Sequence, residues 1–434
     1  MAGRRRDGAA SQARRAPAGS VSYRRELAPL VAIQSLGAAA SFGIVALLAR
    51  VAGPDVQGEF AVYKSLVDVQ VAFLTLGLPS GFIYVINKGL YTTQSLLRLT
   101  ARYAPLVFLV SAVLTTGYLL GRSVTLPGEL STNIALVVLA AGATTYWALV
   151  RGIVLTLSDG VAFAWVTALP PIVLMVVTVV GVESGAWSLP TSFAASAVVS
   201  VTTVLLLLRV VGVPPEGPVP ADRRAAFRVL GQQSAHTLVQ AVFLSGAIFT
   251  ILWLMQHLDA DVDDLGQFSV ASLAVVGPNL LVGMVAPILY SRWSRSMSLD
   301  ERRRIGRSAI RFAALLQLGA LVALPLVVPG LTFVLGAQYR PAAVAMCIVF
   351  LAVLPLSTTR MMSPALQATG STAVVTASWG ARLVTPITLV PLAPVIDDVI
   401  IWAAVAMAAG EYVAMAVMLV LARVHLPRAP RQEI

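Results

Sequence analysis

Charge is scarce in this chain. Only 12% of its 434 residues are Asp, Glu, Lys or Arg and 58% are hydrophobic, against roughly 25% charged residues in soluble domains, so a conventional soluble core is excluded. Lysine is nearly absent: of 31 basic residues only Lys64 and Lys88 are lysines, a bias that points to a GC-rich bacterial genome. The single cysteine, Cys347, rules out an intrachain disulfide and says nothing of compartment. No G-x-x-x-x-G-K-[ST] occurs, so the chain is not expected to hydrolyse nucleotide itself, and neither H-E-x-x-H nor Cys-x-x-Cys offers a zinc site. Asp259-Ala260-Asp261-Val262-Asp263 opens like a calcium loop, but Asp264 stands where glycine is required and Val270 where the bidentate Glu belongs. It reads as a solvated acidic loop. No cofactor or metal is expected; a proton or sodium ion is the open candidate for coupling.

What the chain has in abundance is long apolar runs. Requiring about 20 apolar residues to cross a hydrocarbon core of roughly 30 Å places twelve spans, at 27–49, 59–86, 103–121, 132–150, 161–182, 191–208, 233–256, 266–290, 312–335, 342–359, 371–393 and 398–421. The first run is too long for a signal-peptide core and reads as a retained helix. Basic residues test the threading, because cytoplasmic loops carry their excess. Of the 31, 26 fall inside, three outside (Arg50, Arg122, Arg340) and two within spans (Lys64, Arg382). Asp55, Glu59, Glu129, Glu183, Asp259, Asp261, Asp263, Asp264, Asp397 and Asp398 all fall on the outer side. The expectation is a multi-pass protein of the bacterial cytoplasmic membrane with both termini in the cytoplasm. The net charge of +11 resides largely in Arg4, Arg5, Arg6, Arg14, Arg15, Arg24 and Arg25 and in the loop from Arg292 to Arg311. Both clusters flank spans on the inner side and read as topology determinants and contacts to anionic membrane lipids. No aromatic platform accompanies them, so nucleic acid is not an expected partner.

Four prolines and a charge cluster interrupt the apolar pattern near 212–226. The expected organisation is a basic cytoplasmic tail (1–26), a six-helix lobe (27–211), a cytoplasmic linker (212–228), a second six-helix lobe (229–423) and a short tail (424–434). At an offset of 208 residues, Gly58-Glu59-Phe60-Ala61-Val62 matches Gly266-Gln267-Phe268-Ser269-Val270, and Pro79 falls on Pro287. Gln34-Ser35 and Gln233-Ser234 mark the first helix of each half. Six spans per half give both repeats the same orientation, hence an all-α fold with a pseudo-two-fold axis along the membrane normal and a pathway between lobes.

A charge at the bilayer centre costs about 2.5–3.5 kcal/mol on insertion scales, so ionisable residues inside spans need a reason to stay. Lys64 and Asp68, four apart on the second span, share a face. They are either a self-neutralising pair, or lumen groups in which Lys64 meets an anionic cargo and Asp68 orients it or takes a proton. Arg382 and Glu411 lie near the middle of the last two spans. They either pair across helices, or Arg382 grips the oxygens of an anionic cargo while Glu411 releases it or couples an ion. Gln233, His236 and Gln240 form one stripe on the seventh span, and Gln34 and Ser41 one on the first. Amides and hydroxyls suit sugar recognition, and they also glue membrane helices together. Pro170, Pro171, Pro325, Pro355, Pro386 and Pro391 lie within spans and should kink them.

The segment Leu47-Leu48-Ala49-Arg50-Val51-Ala52-Gly53-Pro54-Asp55-Val56-Gln57-Gly58-Glu59-Phe60 resembles the first outer loop of polysaccharide flippases, members of the multidrug, oligosaccharidyl-lipid and polysaccharide (MOP) exporter superfamily. Leu76-Gly77-Leu78, Arg151-Gly152 and Leu335-Gly336-Ala337-Gln338-Tyr339 are further likenesses, and Gln57 departs from the Tyr usual there. The resemblance implies a MATE-like fold of two six-helix lobes around a cavity that opens alternately inward and outward. It implies a flippase, not an enzyme, carrying a polyprenyl-diphosphate-linked oligosaccharide to the outer leaflet as a monomer, with a polysaccharide polymerase as a possible partner. A multidrug or cation antiporter of the same superfamily is the alternative. A membrane polymerase or ligase is disfavoured by outer loops of only about ten residues, and a lipid II flippase by its fourteen spans.

Overall fold

The computed structural model describes residues 23–120, 130–157, 160–211, 223–275, 299–368, 371–395 and 398–425. Among them there is no β-strand, as expected where backbone polar groups must be satisfied within each span. The helices are α1 (Tyr23–Leu74), α2 (Leu78–Asn87), α3 (Thr93–Leu120), α4 (Leu130–Leu157), α5 (Gly160–Glu183) and α6 (Leu189–Val211) in the first half. The second half holds α7 (Arg223–His257), α8 (262–275), α9 (Leu299–Leu335), α10 (Arg340–Phe350), α11 (Val353–Ala368), α12 (Thr372–Leu389) and α13 (Val399–His425). Nine described helices are long and apolar enough to cross a membrane, or ten if the α10–α11 pair, bent by 51°, is one span. Twelve fits this number, because α1 runs through one expected span into the next and the eighth lies partly outside the described residues. So do most of the basic tail, residues 212–222 and Pro287.

Several helices outrun their apolar windows. α3 starts ten residues before the expected 103, α7 begins at Arg223 inside the segment read as linker, and α9 begins at Leu299. Hydropathy marks only the lipid-embedded part, whereas helical hydrogen bonding continues through polar turns such as Arg223–Arg228. Leu109, Val113, Leu315, Val322 and Phe333 are among the exposed large side chains, the lipid-facing surface of a membrane protein.

Two breaks shape the wall between the lobes. α1 turns at Gly53 (φ 83°, ψ 173°), a left-handed backbone that only glycine adopts without strain. At the corner, Arg50 Nη1 donates to Val334 O of α9 at 3.2 Å. A second break, at Thr75–Gly77, separates α1 from α2, and Pro79 stands in the first turn of α2. Gly58 and Gly266, the pair related by 208 residues, meet backbone to backbone: a Cβ on Gly58 would collide with Val262 O, and one on Gly266 with Pro54 O. Pro54 and Val262 are themselves 208 apart, so the contact is reciprocal and the pseudo-two-fold axis passes between the glycines. Ala49, Ala61 and Val62 share an apolar cluster with Ile251, Phe268 and Val270 at this end, and Phe82 of α2 packs with Leu230 of α7 at the other. The lobes touch at both ends, leaving cavities between.

Candidate functional site

A cavity of about 510 Å³ lies between α1, α2, α4, α7, α11 and α12, and its lining includes Asp68, Ser80, Arg151, Ser245, Arg360 and Arg382. Three of these six side chains are guanidiniums. Arg151 stands one turn after Trp147 on α4, its Cζ 5.1 Å from that ring and 5.2 Å from the ring of Phe163 on α5. Gly152 beside it lets the start of α2 approach, since a Cβ there would sit 2.7 Å from Pro79 Cα. In the other lobe, Arg360 and Arg382 share one aromatic plane, their Cζ atoms 4.7 and 5.3 Å from the centre of the buried Trp379 ring. Ring faces attract cations by about 0.5–2 kcal/mol each without neutralising them. These aromatic contacts hold the arginines in place and leave their charge available.

Arg382 also pairs with Glu411, Nε to Oε1 at 2.5 Å, with both side chains almost wholly buried. The pairing reading of Arg382 is therefore seen as an ion pair through Nε, while its Nη1, Nε of Arg360 and both carboxylate oxygens of Glu411 are buried with no hydrogen-bond partner. Unpaired donors in a low-dielectric wall are costly unless a ligand completes them.

A second cavity, of about 410 Å³, adjoins the first along α1 and includes Ser41, Gln57, Lys64, Asp68, Ser269 and Ser272 in its lining. The two share Ser65, Asp68 and Ile248. Lys64 Nζ reaches Asp68 Oδ1 at 2.7 Å and Oδ2 at 2.5 Å, and both side chains remain about half exposed. They pair with each other and both line this cavity. Across the site four cations (Lys64, Arg151, Arg360, Arg382) face two carboxylates (Asp68, Glu411), a surplus of positive charge.

Neither lining includes Gln34, Gln233, His236 or Gln240. Gln34 is buried with both amide atoms unpartnered, Gln233 is half-buried and His236 is exposed. Gln240 donates to Thr376 Oγ1 (3.4 Å) and accepts from Gln367 Nε2 (2.5 Å), tying α7 to α12 and α11. The face of α7 that meets the first cavity carries Ala241, Leu244, Ser245 and Ile248. It begins one residue on from Gln240, about 100° around the helix.

Sequence alone does not assign Arg151 and Arg360 to the site, because both follow an apolar window and fall with the cytoplasmic charges. The helices instead continue to Leu157 and Ala368, so both arginines belong to the wall. A tryptophan one turn before Arg151 was the available signal.

Among solved structures, the chain is similar to an inward-facing multidrug resistance MATE family transporter of the MOP superfamily, with TM-score 0.63 and 15% identity over 92% of this chain and 96% of that one. It is also similar to an outward-facing MATE transporter of that superfamily (TM-score 0.67, 12% identity, 93% and 96% covered). A third likeness is to a MOP superfamily transporter from Pyrococcus furiosus, described as having a binding pocket of reverse polarity that suggests a different function (TM-score 0.66, 15% identity, 93% and 95% covered). No protein-family model and no curated protein matches the chain. Identities this low establish the fold alone: an all-α, two-lobed architecture shared with membrane transporters of the MOP superfamily.

Proposed function

We propose that this protein is a MOP-fold exporter for an anionic amphiphile, a polyprenyl-diphosphate-linked oligosaccharide, which it moves from the cytoplasmic to the outer leaflet of a bacterial membrane. The observation that carries this reading is the convergence of Arg151, Arg360 and Arg382 on one cavity, with one donor each of Arg360 and Arg382 left unpaired. Guanidinium groups bind phosphate oxygens as two-pronged donors, and a dianionic diphosphate diester matches the surplus positive charge. The diphosphate would sit between the two lobes, touching Arg151 of one and Arg360 and Arg382 of the other, while the prenyl chain stays in lipid. Cargo that neutralises charges from both lobes lowers the cost of bringing them together, which is what an alternating-access step requires. The breaks at Gly53 and Thr75–Gly77 are the natural hinges.

A multidrug exporter is the second reading, and the MATE transporters among the structural neighbours favour it over a saccharide-lipid flippase. The sign of the cavity argues the other way, because the one carboxylate in its lining, Asp68, already holds Lys64, and Glu411, in ion-pair contact with Arg382, lines neither cavity. The reverse-polarity neighbour supports the idea that this fold accepts pockets of differing charge. The deciding experiment places the full-length protein in vesicles with a fluorescent prenyl-diphosphate disaccharide, and separately with ethidium. Movement of the diphosphate probe, abolished in Arg360→Gln, is the expected result. Ethidium transport without diphosphate movement would select the second reading.

A further inference from the structure

The second cavity has walls of one hydrogen-bonding character. Each of its four serines has given its proton to a carbonyl of its own helix: Ser41 Oγ to Gly37 O (3.0 Å), Ser65 Oγ to Val62 O (2.8 Å), Ser269 Oγ to Gly266 O (3.0 Å) and Ser272 Oγ to Ser269 O (2.7 Å). Gln57 is 2% exposed; its Nε2 donates to Ser269 Oγ at 3.0 Å, and its Oε1 is buried with no partner. Hydroxyls that have donated keep acceptor capacity, and a carboxylate only accepts. Apart from Lys64, whose ammonium is held by Asp68, the polar lining therefore offers acceptors and an occupant must bring donors.

Three kinds of occupant suit an acceptor wall. A bound metal ion needs its oxygens within about 2.6 Å of one point, whereas a 410 Å³ space is the size of a small-molecule site. An organic ammonium would find Asp68 already compensated by Lys64. A saccharide brings several O–H donors, and its C–H faces suit the rings of Phe42 and Phe60, which also line the cavity. We propose that this cavity is a saccharide subsite, in which sugar hydroxyls donate to Gln57 Oε1 and to the serine oxygens of α1 and α8. Because the cavities meet at Ser65 and Asp68, a diphospho-sugar spans them, with phosphates among the arginines and sugar against α1 and α8. That last step rests on the diphosphate reading of the arginine cavity; the subsite itself does not.

The test measures binding to the full-length protein in nanodiscs, using farnesyl diphosphate, farnesyl diphosphate bearing chitobiose, and free chitobiose. Two neutral hydrogen bonds correspond to about a tenfold gain, so wild type should bind the glycosylated probe about tenfold tighter than the bare one. Gln57→Leu, which removes the unpaired acceptor at nearly constant volume, and Ser41→Ala should each lower the ratio to about threefold. Bare farnesyl diphosphate should bind all three proteins alike. The subsite is refuted if both variants keep the full ratio, or if wild type shows no sugar preference and no binding of free chitobiose. Arg360→Gln should weaken both farnesyl probes equally and preserve the ratio. Should bare farnesyl diphosphate not bind while free chitobiose binds in a Gln57-dependent way, the subsite stands and the diphosphate reading falls.

Discussion

Replacing Glu411 should damage the protein more than replacing Arg382, although the two form one ion pair. Breaking a buried pair by removing one partner costs about 3–5 kcal/mol, because the other charge stays uncompensated in low dielectric, whereas replacing both by apolar residues is often neutral. Here the pair is not isolated. Arg360 lies on the other guanidinium contact of Trp379 and interacts electrostatically with both Arg382 and Glu411. In Arg382→Met, Glu411 retains Arg360 as a cationic neighbour, so the loss should fall at the lower end, about 3 kcal/mol. In Glu411→Met two guanidiniums share one ring with no carboxylate between them, and the loss should reach the upper end, about 5 kcal/mol. The double variant leaves only Arg360 and should be more stable than Glu411→Met, yet it should bind a prenyl diphosphate more weakly than wild type, having lost the Nη1 donor. Thermal unfolding in detergent, followed through tryptophan fluorescence, gives the order, and titration of farnesyl diphosphate gives the function. A more stable Glu411→Met than Arg382→Met, or a double variant less stable than either single one, would refute the electrostatic account of this cluster.

Other consequences follow from the same contacts. Gly58→Val should hold the lobes apart where Gly58 meets Val262 O; spin labels at positions 55 and 261, in a Cys347→Ser background, should report a longer distance, and an unchanged distance would contradict the close-approach reading. A reporter active only in the cytoplasm should be active when fused after residue 222 or 302 and silent near 262, and activity at 262 would overturn the two-lobe topology. The Asp264 carboxyl is pushed up by burial and further by Asp261, Asp263 and Asp398, against the bond it accepts from Asp261 N. A raised carboxyl pKa means the folded state binds the proton more tightly, so its destabilising effect is present at neutral pH and relieved as pH falls through that raised value. Asp264→Asn should therefore raise thermal stability near neutral pH, by less than about 1 kcal/mol at this partly exposed position, with the gain vanishing in acid. A uniform gain at all pH values would rule out the charge as its cause.

Features that depend on backbone chemistry or on bilayer cost were legible in the residues. The Gly53-Pro54 segment falls in the expected first outer loop, and the 208-residue repeat matched Gly58 to Gly266, which the structure brings into close backbone approach. Arg382 and Glu411 stand at equal depth in successive spans, which offered pairing as one of two readings, and the structure shows the ion pair. Arg151 and Arg360 could not be placed in this way. An apolar window stops at a charge, whereas the helix does not, and an arginine at the end of a window points into a lumen or into cytosol according to neighbours that hydropathy does not report. The Gln233, His236 and Gln240 stripe lies outside the linings of both described cavities for a related reason. Periodicity tells which residues share a face of α7, and only packing decides that Gln240 meets Thr376 and Gln367 while Ser245 meets the cavity.

The central claim is that the charge of the interlobe cavity selects an anionic headgroup. It is tested most directly by comparing two ligands with one tail and opposite charge, farnesyl diphosphate and farnesyl trimethylammonium, by calorimetric titration into the full-length protein in nanodiscs. The account predicts that the diphosphate binds at least about tenfold tighter, a difference of about 1.4 kcal/mol, and that Arg151→Gln, Arg360→Gln and Arg382→Gln each reduce this preference. Equal affinities, or tighter binding of the ammonium, would contradict it.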